Sequence, residues 1–271
     1  MPETSPGGYG ARPAVAADQA ATLRRLFGGT GPRMLPIVIP GSVDDDRVGL
    51  LAGFAAAVAR QQGTTLALDA ARLHLASSLG VSLRRDLADV LARHASLDAA
   101  LAPAAPRLAV ASAARALAGG AAGPAPRLDR VLAGAGIDAA RYDWILAFIG
   151  IRALACLRGL PSSHADDGEA LVAVRPTARS LDAALAVVRA GQAAADMRVF
   201  RLLFLGMDRS AAGTLFERMA ALRPGGRHVE LRFGGVLNGP AGAERVAAAA
   251  CGWDLTRIAA TGAGADLEMV S

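Results

Sequence analysis

The stretch that decides the fold reads MLPIVIPGSVDDDRVGLLAGFAAAVARQQGTTLALD and spans residues 34–69. It begins and ends with short apolar runs, at 34–39 and 64–69, that are typical of buried strands. The longer apolar run between them, at 46–62, is typical of a helix. A strand, a helix and a second strand in this order predict a βαβ unit with two parallel strands.

The same alternation continues along the chain. Further strands are predicted at 107–112, 142–149, 169–174, 198–205 and 228–237, and further helices at 86–93, 96–102, 127–135, 178–190, 210–222 and 240–250. Short apolar strands that alternate with helices predict an α/β fold, with a mainly parallel sheet flanked by helices. We expect a flexible arm over 1–32, the α/β domain over 33–250 and a tail over 251–271.

The basic residues exclude one group of mechanisms. The chain has 271 residues and a net charge of +5, and all of its 29 basic residues are arginine. Without lysine there is no Schiff base, no phosphate-loop lysine and no lysine general base. The arginines are scattered singly or in pairs rather than in runs, so we expect no nucleic-acid partner.

Membrane and metal signals are weak. The longest apolar run, at 48–59, is shorter than the roughly 20 residues that a membrane span needs, so no transmembrane segment is expected. Cys156 and Cys251 are far apart and form no CxxC pair, which indicates a reducing compartment such as the cytoplasm. The histidines share no metal-ligand spacing, so no metal site is predicted from them.

The loop after the first strand lies where open α/β sheets bind ligands. Its candidate residues are Gly41, Ser42, Asp44, Asp45, Asp46 and Gly49. A phosphate cradle uses converging glycines and a lysine, whereas this loop has three consecutive carboxylates that would repel a phosphate. Two alternatives stay open: the carboxylates cap the following helix, or they form a divalent-metal site.

A short helix is predicted near the N-terminus, in the segment DQAATLRRLF at 18–27. Asp18 is a natural helix cap, and Leu23, Leu26 and Phe27 fall on one stripe. Because a helix of about ten residues is marginal in water, this segment must pack on its own domain or on a partner.

Several blocks resemble one family. The block DQAATLR (18–24) resembles the DQAxxLR signature of FlhG proteins, which are MinD/ParA-like regulators of flagellar number and placement. Further blocks resemble that family in the same order: LALDA (66–70), DLADVL (86–91), SLDAAL (96–101), YDWIL (142–146), RPT with SLDA (175–183), LFERM (215–219) and FGGVL (233–237). The resemblance covers residues 18 to about 250 and implies a deviant P-loop fold.

The departures from the family are informative. The family's GKGGVGKT loop is replaced by the acidic loop, and both of its lysines are absent. The aspartate that orients water in the family falls on Ala71, and the Walker B aspartate falls on Ala147 or Phe148. Asp69 alone remains of the acidic set, either as a relic of the active site or as a strand-end cap. These departures from the family therefore predict a pseudo-ATPase without catalytic residues, metal, ATP or Mg²⁺.

The resemblance also implies a partner. In the family, the N-terminal helix binds FlhF, a signal-recognition-type GTPase, and stimulates its GTP hydrolysis. The residues that carry this role over are Asp18, Gln19, Ala20, Leu23 and Arg24. By resemblance, Gln19 would enter the partner's active site. From residue type, Asp18 would cap the helix, Leu23 would fill an apolar groove and Arg24 would pair with a carboxylate.

Two other functions stay open: an unusual MinD-like ATPase that still binds ATP with a metal, or a scaffold for a flagellar basal-body, transcription or polar factor. The tail 256–271 has a single basic residue, Arg257, whereas membrane-surface helices carry several. We expect a cytoplasmic protein that reaches the inner membrane or the cell pole through a partner.

Overall fold

A mostly parallel sheet organises the protein. The computed structural model describes residues 31–118, 125–158, 169–222 and 229–253. Within these ranges the strands are β1 (Arg33–Ile39), β2 (Thr65–Ala70), β3 (Leu101–Ala105), β4 (Leu108–Ser112), β5 (Trp144–Gly150), β6 (Glu169–Val174), β7 (Val199–Leu205) and β8 (Glu230–Leu237). Their order in the sheet is β3-β4-β2-β5-β1-β6-β7-β8.

Helices cover both faces of the sheet. They are α1 (Asp45–Gln62), α2 (Leu75–Ser78), α3 (Leu87–Leu91), α4 (Leu128–Gly134), α5 (Ala178–Ala195), α6 (Arg209–Ala221) and α7 (Pro240–Ala250), with short 3₁₀ segments at Leu97–Ala99, Ala139–Arg141 and Ile151–Leu157. One face packs on α1, α2 and α7, and the other packs on α3 to α6 together with the last of the 3₁₀ segments.

The central strands are buried on both sides. β2 and β6 are buried along their whole length, and β5 is buried up to Ile149. Both faces of these strands are apolar because helices cover each face, which is the arrangement that parallel sheets require. All neighbouring strands pair in parallel except β3 with β4, so the predicted α/β class with a mainly parallel sheet is confirmed.

One predicted helix is wrong. The sequence indicated a helix over 96–102, but the structure has a 3₁₀ turn at Leu97–Ala99 and then β3, which pairs antiparallel with β4. The strand is short and contains Pro103, where the register shifts. A proline is tolerated at this position because β3 is an edge strand and has one side without a neighbouring strand in the described sheet.

Candidate functional site

The candidate site lies at the carboxyl end of β1. β1 has β5 on one side and β6 on the other, and the chain order reverses around it. Ligands of open α/β sheets bind at such a switch point, beyond the carboxyl ends of the strands. The loop at this position begins at Pro40 and leads through Gly41 and Ser42 to α1.

The acidic residues of the loop form the start of α1. Asp44 is the N-cap residue, and its carboxylate accepts a hydrogen bond of 3.1 Å from the backbone N–H of Arg47. Asp45 and Asp46 lie exposed in the first turn, where the helix dipole favours negative charge. Gly49 lies inside the helix rather than in the loop.

The guanidinium of Arg47 pairs with Asp44 and lies close to Gly206. It forms an ion pair with the Asp44 carboxylate, and a Cβ added at Gly206 would lie 3.5 Å from its Nε. Partial burial raises the pKa of Asp44, but the hydrogen bonds and charge of Arg47, together with the charge of Arg175, outweigh it and lower that pKa overall. The pair therefore stays ionised and stabilises the start of α1.

Asp69, at the end of β2, is also engaged by the backbone. Its two carboxylate oxygens accept hydrogen bonds from the N–H groups of Leu73 and Leu75, at 3.0 and 3.1 Å. The side chain is buried, and these bonds hold the turn that leads into α2. In this geometry the carboxylate stabilises the end of the strand.

Asp86, which was not among the predicted site residues, accepts more backbone hydrogen bonds than Asp69. Asp86 accepts hydrogen bonds from the N–H groups of Ala88, Arg115 and Ala116 and from the hydroxyl of Ser112. Asp86 and Asp89 form a capping box at the start of α3, and Arg115 pairs with Asp89. The DLADVL block therefore holds the end of β4 and the loop that follows it.

A cavity of about 190 Å³ lies beside the loop. Its walls come from the loop at residues 40–43, the ends of β6 and β7, and the first turns of α5. The polar residues on its walls are Ser42, Arg175, Arg179 and Ser180. The two arginines were not among the predicted site residues. They follow β6, far along the chain from the loop, so no local pattern links them to it.

The other predicted features fall in different places. The activator residues Asp18, Gln19, Ala20, Leu23 and Arg24 lie outside the described residues. Within the described part of the chain, no group of three or more His, Cys, Asp or Glu side chains could hold a metal ion. In the same part of the chain, no helix is both long and apolar enough to cross a membrane.

Comparisons with known proteins show the fold. No protein-family model matches the chain, and no curated protein matches it either. Among solved structures, MinD of Aquifex aeolicus in its complex with MinC is 18% identical, with a TM-score of 0.53 over 83% of this chain and 99% of that one.

Two further solved structures have a similar fold. A plasmid partition protein of Borrelia burgdorferi is 12% identical, with a TM-score of 0.56 over 82% of this chain and 98% of that chain. Cobyrinic acid a,c-diamide synthase of Mycobacterium smegmatis is 13% identical, with a TM-score of 0.52 over 83% and 98%. The fold is that of the MinD/ParA-type P-loop NTPases, and this fold carries more than one function.

The fold implies a nucleoside triphosphate with Mg²⁺ at the loop after β1, but the residues of this loop do not fit that ligand. The N-terminus of α1, which would receive a phosphate, already has the Asp44 carboxylate bound to it. A Cβ added at Gly41 or Gly49 would meet no atom within 4 Å, so neither glycine is required by a close contact. No lysine exists anywhere in the chain to hold the phosphates.

Proposed function

We propose that this protein is a non-hydrolysing, FlhG-like regulator of flagellar assembly, number or placement, which binds the FlhF GTPase and stimulates it through the N-terminal helix. The observation that supports this proposal is the start of α1, where Asp44 caps the helix and Asp45 and Asp46 occupy its first turn. A regulator that hydrolyses no nucleotide itself must act through a partner.

Electrostatics argue against hydrolysis in this domain. Two unit charges 4 Å apart interact by about 4 kcal/mol near a protein surface, so adjacent carboxylates would strongly repel a triphosphate. Arg47 does not offset this repulsion because its guanidinium is paired with Asp44. Asp69 is already bound to two backbone N–H groups, which leaves it poorly placed to orient an attacking water.

The activity is assigned to the N-terminal helix on its residue types. A glutamine amide both donates and accepts hydrogen bonds, so Gln19 suits the orientation of a water at the partner's γ-phosphate. Leu23 and Arg24 supply an apolar contact and a cation beside it. The solved complex of MinD with MinC is an example of this fold in a protein that assembles with a partner.

The test is GTP turnover by FlhF in the presence of the full chain. We expect the wild-type chain and a peptide of residues 1–30 to stimulate turnover, and Gln19→Ala to abolish the stimulation. Arg12→Ala lies in the same arm outside the DQAATLR block and serves as the matched control, with stimulation unchanged. If neither the wild-type chain nor the peptide raises turnover, the activator role is wrong and a scaffold role is favoured.

A further inference from the structure

The cavity beside β1 is too small for the ligand that the fold implies. Its volume is about 190 Å³, whereas pockets for cofactors and drug-sized ligands measure about 300–1,000 Å³. It lies between the loop at 40–43 and the first turns of α5, with apolar walls from Ile39, Ala173 and Leu205. A cavity of this size and shape admits a small molecule or a single functional group.

Its charge is positive. Arg175 and Arg179 line it, and in the described part of the chain neither guanidinium lies within ion-pair distance of a carboxylate. Asp44 is close enough for the charge of Arg175 to lower its pKa, but Asp44 pairs directly with Arg47. Two arginines therefore line one small cavity, and neither forms an ion pair with a carboxylate in the described part of the chain.

Hydrogen-bond donors complete the site. Ser180 is buried, and its hydroxyl oxygen accepts a hydrogen bond of 2.9 Å from the backbone N–H of Arg175. The hydroxyl proton can therefore still be donated to a ligand. Ser42, in the loop after β1, supplies a second hydroxyl among the residues that line the cavity. The N-terminus of α5, capped by Thr177, adds the positive end of an 18-residue helix.

We propose that this cavity binds one small oxyanion, a phosphate or a carboxylate, through Arg175 and Arg179. Guanidinium groups bind both anions with paired, charge-assisted hydrogen bonds, and the serine hydroxyls provide further donors. The acidic start of α1 repels the larger charge of a triphosphate more strongly than the charge of a single oxyanion, and the cavity is lined by the ends of β6 and β7 rather than by Asp44, Asp45 or Asp46. This proposal does not rest on the proposed action of residues 18–24 on FlhF.

The test is calorimetric titration of the full chain with inorganic phosphate and, separately, with acetate, at constant ionic strength in chloride. We expect one binding site for at least one of the two anions. The anion that binds with the higher affinity identifies the ligand as a phosphate or a carboxylate. Arg175→Gln and Arg179→Gln should each weaken binding by about tenfold or more. Arg189→Gln changes an exposed arginine of the same helix, away from the cavity, and should leave the affinity unchanged.

Three results would overturn the proposal. One is heat from neither anion with the folded wild-type chain. Another is equal weakening by Arg189→Gln, which would reveal a nonspecific effect of net charge. The third is displacement of the bound anion by ATP with Mg²⁺ at a lower concentration than that of free phosphate, which would make this a nucleotide site. Circular dichroism of each variant distinguishes loss of binding from loss of folding.

Discussion

Single carboxylates near the carboxyl ends of the strands hold loops in this protein. Asp44, Asp69 and Asp86 each accept backbone hydrogen bonds at the start of a helix or a turn. From the sequence alone, Asp69 is open to interpretation as an active-site relic or a strand-end cap, and Asp44 as a helix cap or a metal ligand. A carboxylate that accepts backbone N–H groups stabilises its loop whether or not it also takes part in chemistry.

The thiol of Cys156 should make the free energy of unfolding depend on pH in the alkaline range. The side chain is 0% exposed, and burial raises its pKa from 9.0 to about 12. Because the folded pKa is higher than the unfolded pKa, the folded state keeps the proton that the unfolded chain loses. This stabilisation is complete below pH 9 and is lost as the pH rises toward 12.

We expect the free energy of unfolding to fall by as much as about 1.4 kcal/mol for each pH unit in that window. Urea unfolding at a series of alkaline pH values measures the slope, and Cys156→Ala should remove this part of it. Cys251→Ala removes an exposed thiol and should keep the wild-type slope. An unchanged slope in Cys156→Ala would show that the buried thiol does not contribute.

A buried ion pair joins three strands on the face covered by α1 and α7. Glu169 of β6 is 2% exposed and pairs with Arg201 of β7, and Arg232 of β8 lies 3.7 Å from the same carboxylate. The guanidinium of Arg201 also stacks on Trp253, 4.7 Å from the ring centre. The three charged residues and the indole bind the outer strands β7 and β8 to the centre of the sheet.

Breaking this pair on one side should be costly. Arg201→Met leaves the buried Glu169 carboxylate without its closest cation, and we expect a loss of about 3–5 kcal/mol in the free energy of unfolding. The double variant Glu169→Leu, Arg201→Met should recover most of that loss. The control is Arg60→Met, which breaks an exposed pair with Glu244 and should cost about 1 kcal/mol or less. Denaturant unfolding measures the three losses, provided that the dependence of the unfolding free energy on denaturant concentration is the same in each variant. Equal losses in the single variant Arg201→Met and in the double variant would contradict the electrostatic explanation.

Most elements could be predicted because their information is local. The run at 34–69 alternates between strand-like and helix-like patterns, and β1, α1 and β2 follow it closely. β3 could not be predicted, since its sequence LAPAA has little strand propensity and becomes a strand by pairing with β4. The contact of Glu169 with Arg201 and the position of Arg175 beside Gly41 also depend on strand order, which no single segment encodes.

The protein should keep the same oligomeric state when nucleotide is added. The lysine-free chain and the acidic start of α1 both oppose binding of a triphosphate. We expect sedimentation equilibrium to give the same mass with and without ATP and Mg²⁺. A MinD/ParA-type ATPase that dimerises with ATP, measured in parallel, is the control. An increase in mass on addition of ATP would favour the alternative of an unusual nucleotide-binding ATPase.

The two tryptophans of the sequence lie in different parts of the fold. Trp144 begins the central strand β5, with Arg33 above its ring at 5.4 Å, and Trp253 follows α7 at the outer strands, with Arg201 above its ring. Both indoles are buried, so each should emit at short wavelength and shift to the red on contact with water. Replacing either one with phenylalanine would leave a single fluorophore, and its emission would report separately on the centre of the sheet or on its outer edge.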